Sequence, residues 1–192
     1  METLIDCIRH GEPMGGKLYR GQIDDPLSEK GWWQMRSAVA DRRDWQQIFT
    51  SPLSRCRDFA SELAEQLDIP LTVVPALQEV GFGAWEGKRP LEIEEADPGA
   101  VARFRADPVH SRPEGAEPLA DFVARIEHGW QMVVKKSHGQ RVLVVGHAGQ
   151  MRAVVHHIMQ IPLTHLYRLD IAYAAMFCVT LRDDAPPKLR FY

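Results

Sequence analysis

The stretch Arg141-Val142-Leu143-Val144-Val145-Gly146-His147-Ala148-Gly149 decides the architecture. Four consecutive aliphatic residues make a strand covered on both faces, because a strand with one wet face alternates apolar with polar residues. Gly146 ends the run, and an apolar helix is predicted from there to about Met159. A doubly buried strand running straight into a helix is the repeating unit of layered α/β domains, whose ligands bind beyond the carboxyl ends of the strands. His147 therefore stands where chemistry is expected.

Reading outward, Thr3 to Arg9 is a second strand that stops at His10-Gly11. A capped helix is predicted from Ser28 to Ala40, weakened by Gly31. A strand follows at Gln47 to Thr50, then a helix from Ser54 to Leu67 with Phe59, Leu63 and Leu67 on one face, then a strand from Leu71 to Val74. Pro75, Pro90, Pro98, Pro108, Pro113 and Pro118 punctuate the next segment, which is expected to hold loops and short helices above the site. A helix from Pro118 to Ser137 precedes the deciding strand. The chain closes with strands at Ala174 to Arg182 and Lys188 to Tyr192, joined through Asp183-Asp184-Ala185-Pro186-Pro187. The expected fold is α/β: a three-layer α/β/α sandwich, its central sheet mostly parallel with helices on both faces, in one domain over 1–192 with an insertion at about 75–118.

Hydrophobic residues make up 45% of the 192 and charged residues 26%, with a formal net charge of -3. That balance argues against a nucleic-acid partner. Cys7, Cys56 and Cys178 are odd in number and far apart, which suits reduced thiols in a cytoplasmic protein better than a disulfide framework. The amino terminus lacks the pattern of a leader, and no apolar stretch reaches the roughly 18 residues of a membrane span. A soluble, cytoplasmic chain is expected, with a small-molecule ligand; a homodimer is admitted.

Four clusters invite a chemical reading. Arg9-His10-Gly11-Glu12 ends the first strand, although a histidine beside an arginine is more often a surface pair. Ser51-Pro52-Leu53-Ser54-Arg55 puts an arginine in the first turn of a helix, where free N–H groups favour anions. Gly146-His147-Ala148-Gly149 surrounds a histidine with small residues that let backbone approach a ligand. Glu79 precedes the aromatic, glycine-rich stretch Val80 to Gly87. Taken singly, each has an ordinary reading as a solvated or capping side chain. Gly81 to Gly87 misses the dinucleotide fingerprint and does not join strand to helix. His156, His157 and His165 lack paired carboxylates and read as helix-face residues, so no metal is expected. Arg42-Arg43-Asp44 reads as a solvated turn.

The order RHGE, SPLxR, LxExxFGxWEG and GHxG resembles the histidine phosphatase superfamily, from about Ile5 to Gly149. Tyr19 to Ser28 is also similar to that family's segment before its first helix. The resemblance implies no cofactor, a phosphate-ester ligand, and His10 as the nucleophile. Arg9 and Arg55 would grip the phosphoryl oxygens, as planar guanidinium forks do. His147 would donate to the same oxygens. Glu79 would protonate the leaving alkoxide and later deprotonate water, its carboxyl kept protonated by the apolar surroundings of Phe82 and Trp85. Gln22 and Ala148 would contact substrate, while Glu12 and Ser51 would orient His10 from behind. Cys56 and Phe59 replace alanine and threonine of many members, a repacking of the helix. Pro13-Met14-Gly15-Gly16 departs from the serine and asparagine of the phosphoglycerate mutases, favouring hydrolysis over transfer. Within the superfamily the FGxWEG wording and short length look most like the α-ribazole phosphatases, which implies α-ribazole 5′-phosphate as substrate in cobalamin biosynthesis. A mutase, a broad sugar or nucleotide phosphatase, and a non-catalytic phospho-ligand module are the alternatives.

Overall fold

The computed structural model describes residues 1–40 and 42–192. In chain order the regular elements are β1 (Glu2–Arg9), α1 (Glu29–Val39), β2 (Gln47–Thr50), α2 (Ser54–Leu67), β3 (Leu71–Val73), α3 (Pro90–Ala96), α4 (Ala100–Ala106), α5 (Leu119–Lys136), β4 (Arg141–Gly146), α6 (Ala148–Met159), β5 (Met176–Arg182) and β6 (Ala185–Phe191). Short 3₁₀ turns lie at Pro75–Leu77, Gly83–Trp85 and Leu163–Arg168.

The strands form one sheet in the order β3-β2-β4-β1-β5-β6. β3, β2, β4 and β1 are parallel; β5 pairs antiparallel with β1, and β6 antiparallel with β5. Side chains alternate across β1: Ile5 and Cys7 join the core beneath α5 and α6, and Ile8 joins the core beneath α1 and α2. In β4 the same alternation sends Val142 and Val144 one way and Leu143 and Val145 the other, so the continuous apolar run is that of a strand sheathed on both faces. The expected three-layer α/β/α architecture is the one observed. No helix among the described residues is long and apolar enough to cross a membrane.

Gly31, which counts against a helix by propensity, has a steric reason. A Cβ there would lie 2.1 Å from the Glu12 carbonyl oxygen, so only glycine lets α1 press its backbone against the turn after β1. The carboxyl end departs from expectation. β6 begins at Ala185, not Lys188, and takes Pro186 and Pro187 into the strand. An edge position accommodates prolines, because one side of such a strand has no ladder partner to lose. The run Arg42-Arg43-Asp44 is also not simply solvated: Arg42 lies 3.7 Å from the fully buried Asp6, and Asp44 pairs with Arg141 at 2.7 Å.

Candidate active site

Strand register builds the site. Arg9 pairs with Gly146 across β1 and β4, so the next residues, His10 and His147, leave the sheet side by side; Thr50 pairs with Val145, which brings Ser51 up beside them. The His10 N–H donates to the Gly146 carbonyl at 2.9 Å, and the two imidazoles meet edge-on with centroids 5.3 Å apart.

His10 is 5% exposed, and its Nδ1 lies 2.7 Å from the Gly11 carbonyl oxygen. A carbonyl only accepts, so Nδ1 carries the proton and Nε2 keeps its lone pair. Burial holds the His10 pKa well below 6.5, with the Arg55 and Arg9 charges adding to it; His147 is depressed likewise, by burial first and then by Arg55 and His10. Both rings are neutral at pH 7. In the unfolded chain they take up protons below about pH 6.5, while the folded protein resists doing so. Stability is therefore expected to fall on acidification from pH 6.5 toward 5, by up to about 1.4 kcal/mol per ring per pH unit. Urea midpoints across that range should show the slope, and replacing both histidines by asparagine should flatten it; an unchanged slope would refute the assignment.

His10 lines a cavity of about 800 Å³ with Arg9, Arg20, Arg55, Glu79 and Ala148. Arg9 donates through Nη1 to the Ile171 carbonyl at 2.7 Å and stacks over Tyr173 at 4.1 Å. Arg55 donates through Nη1 to the Ile23 carbonyl at 2.6 Å and through Nη2 to that of Gly21 at 2.8 Å. Each arginine also keeps a buried Nε–H with no acceptor among the described residues. An oxyanion bound beside His10 would be matched by the charge of both guanidinium groups. Ala148 opens α6 on the cavity wall, where the positive end of a helix dipole favours an anion.

Several expected placements are corrected. Ser51 does not orient His10: its Oγ lies 2.7 Å from His147 Nε2, because β2 neighbours β4 and not β1. The Glu12 carboxylate pairs with Lys30 at 2.8 Å, and His10 is held by its own following carbonyl. His147 is fully buried, held by Ser51, so its ring stands behind the cavity wall; Ala148 faces the cavity instead. The Gln22 amide reaches the Glu79 carbonyl at 3.4 Å and is not part of the wall. The first N–H of α2 is capped by Asp24, 2.6 Å from the Ser54 nitrogen. The Glu79 carboxyl is met by backbone donors: Oε2 accepts from Gly149 N–H at 3.1 Å and Oε1 from Val80 N–H at 3.0 Å. Trp85 packs instead on Tyr19 and Phe104.

Arg20 and Arg152 escaped the sequence reading. Arg20 is 6% exposed, paired with Asp25 at 2.9 Å, and lines the cavity; its signal was a lone arginine ahead of two aspartates. Arg152 is the only lysine or arginine in α6, and an isolated cation in an apolar helix was the available clue. Tyr173 left none. The wall carries six cationic side chains, with Lys17 and Arg105 completing the set, against the carboxylates of Glu12, Glu79 and Asp170. In a chain of net charge -3, that reversal marks a site for an anion. Among the described residues no group of three or more His, Cys, Asp or Glu side chains is arranged to hold a metal ion.

A neutral buried imidazole between two arginines, above the carboxyl ends of parallel strands, defines a site that receives a phosphate-like group. A model of the histidine phosphatase superfamily (branch 1) matches residues 5–192, and the chain belongs to that superfamily. A glucosyl-3-phosphoglycerate phosphatase of Mycolicibacterium vanbaalenii is 34% identical over 122 residues, 62% of this chain and 54% of that protein. The adenosylcobalamin/alpha-ribazole phosphatase of Salmonella typhimurium is 29% identical over 124 residues, 62% of this chain and 61% of that one. A bifunctional protein of Mycobacterium tuberculosis is 32% identical over 137 residues, 69% of this chain and 37% of its own length. The matches thus span about a third to three fifths of these relatives. In fold, the chain is similar to the mycobacterial glucosyl-3-phosphoglycerate phosphatase (TM-score 0.86, 23% identity, 100% of this chain and 99% of that one). It is also similar to the α-ribazole phosphatase of Shigella flexneri (TM-score 0.84, 22% identity, 98% and 95%).

Proposed function

We propose that this chain is a cytoplasmic phosphomonoesterase of one domain that hydrolyses a small-molecule ester through a phosphohistidine on His10. The observation that carries this is the His10 tautomer, with Nε2 bearing a free lone pair and the cations of Arg9 and Arg55 lining the same cavity. Nε2 attacks phosphorus, the P–O ester bond breaks, and the leaving oxygen takes a proton from Glu79. Water then attacks the phosphohistidine, giving its proton to Glu79 as the N–P bond breaks and inorganic phosphate departs. The arginines and the α6 terminus neutralise charge on the phosphoryl oxygens, which is most of what such a transfer needs from a protein. His147 fixes the floor beneath His10.

For the leaving group, α-ribazole 5′-phosphate remains first. The aromatic wall of Tyr19, Phe82, Phe104 and Tyr167 suits a flat heterocyclic base, and a relative carries that activity in its name. A second reading, an acidic ester such as glucosyl-3-phosphoglycerate, is favoured by Lys17, Arg105 and Arg152. Phosphate release from both esters and from nucleotide and phosphoglycerate esters, with EDTA present, decides between them. Preference for α-ribazole 5′-phosphate would place the enzyme in cobalamin biosynthesis, and broad weak hydrolysis would remove that role. A requirement for a bisphosphate primer would indicate a mutase, and binding without release a non-catalytic module. If the acidic ester is preferred, Arg152→Gln is expected to raise its KM about tenfold or more, since a hydrogen bond to a charged group contributes about 1.5–3 kcal/mol. Hydrolysis of α-ribazole 5′-phosphate should be little changed.

A further inference from the structure

Glu79 is held by two helices, its carboxylate by α6 and its backbone by α5. Its carboxylate hangs on Gly149 N–H, and Phe122 of α5 lies under that contact: a Cβ on Gly149 would meet Phe122 Cζ at 3.4 Å. Its backbone is gripped by Arg125, one turn further along α5 and stacked over the Phe122 ring at 5.2 Å. Arg125 Nη1 donates to the carbonyls of Ala76 and Gln78, both at 2.9 Å, and Nη2 reaches the Glu79 carbonyl at 3.4 Å. The guanidinium is fixed in turn by Glu117 in a two-point pair, Nε to Oε1 at 3.0 Å and Nη2 to Oε2 at 2.8 Å. Glu117 Oε2 also accepts from Gly81 N–H at 3.1 Å, and the Glu117 N–H returns to the Gly81 carbonyl at the same distance. Residues 76–81 form no regular strand or helix beyond one 3₁₀ turn, so two carbonyls and an N–H that a regular element would satisfy internally depend on this pair, which shares the Glu79 carbonyl with the Gln22 amide.

We infer that Arg125 and Glu117 are positioning residues, a two-point brace that sets where the Glu79 carboxyl stands relative to the leaving oxygen. The inference rests on reading Glu79 as the proton donor. General acid catalysis requires hydrogen-bond reach, and small displacements of the acid cost rate without weakening ground-state binding. Phosphoryl grip lies with Arg9 and Arg55, on other elements, so the brace should act on the two proton transfers of Glu79, of which only leaving-group protonation differs between esters. Only a planar fork reaches two carbonyls and both carboxylate oxygens together, so lysine should substitute in part.

The test is a double-mutant cycle read with two esters, an alkyl phosphate with a poor leaving group and p-nitrophenyl phosphate, whose leaving group needs no proton. Arg125→Gln is expected to lower kcat/KM, which reports phosphoenzyme formation, on the alkyl ester at least about 30-fold and on the aryl ester less than about 3-fold. Arg125→Lys should recover part of the loss, and Arg125→Gln with Glu79→Gln should be no slower than Glu79→Gln alone. Glu117→Gln, which preserves shape, should repeat the pattern more mildly and serves if Arg125→Gln does not fold. Equal losses on both esters from the brace variants, or a double variant slower than Glu79→Gln, overturns the positioning role while Glu79→Gln still discriminates between the esters. A Glu79→Gln enzyme that slows both alike removes the acid assignment itself, and the inference with it.

Discussion

His10→Asn is expected to lower turnover by at least about 10⁴-fold, the scale on which loss of a covalent nucleophile is usually felt. The melting temperature should change little. The ring makes one side-chain hydrogen bond, to the Gly11 carbonyl, and already borders a cavity of about 800 Å³, so a smaller side chain opens no new sealed void. Removing a neutral histidine also leaves no buried charge unpaired, which separates this change from loss of either flanking arginine. The decisive readout is an acid-labile, base-stable phosphoryl adduct. It should be trapped on the His10 peptide when the native enzyme is quenched during turnover, and be missing from the variant. Activity within about tenfold of native, or an adduct on another residue, would place the nucleophile elsewhere.

Where the site would lie was legible because both histidines follow strands, and strand ends are written locally: an aliphatic run, a glycine, then a helical period. Which residue touches which was not. Ser51 serves His147 because β2 adjoins β4, and Glu12 faces Lys30 because α1 packs on the turn after β1; both facts are tertiary, and no local pattern carries them. Pairing rules misled at β6, where two prolines in sequence deny a central strand but not an edge one. Arg125 and Glu117 looked like any exposed charges eight residues apart. Their importance comes from an irregular segment whose carbonyls need an outside donor, and irregular segments are where sequence patterns are weakest. Phe82, Trp85 and Glu79 adjoin in sequence, yet backbone N–H groups and not those rings meet the carboxyl.

The largest stability effect is expected from Asp6, which nothing in the sequence singled out and which lies away from the chemistry. Its carboxylate is wholly buried: Oδ2 accepts from Trp45 Nε1 at 2.8 Å and Arg141 Nε at 2.9 Å, and Oδ1 from the Tyr192 hydroxyl at 2.9 Å. One side chain thus ties β1 to the segment entering β2, to β4, and to the chain end after β6. A buried ion pair need not stabilise relative to a well-packed apolar core, but removing one partner leaves the other buried and unmatched, at a cost of about 3–5 kcal/mol. Asp6→Ala strands the indole N–H of Trp45, itself 2% exposed, while Arg141, a quarter exposed, keeps Asp44, so the lower part of that range applies. For a chain of this size the melting temperature should fall by on the order of 10 °C. Tyr192→Phe removes one neutral donor and should cost only about 1 kcal/mol. Asp6 sits four residues before His10 along β1, on the order of 13 Å at strand rise, so kcat measured well below the melting point should be unchanged in both variants. A fall of under about 3 °C for Asp6→Ala would mean that Arg141 finds Asp44 and solvent sufficient, and that the buried carboxylate is not what holds the two halves of the sheet together.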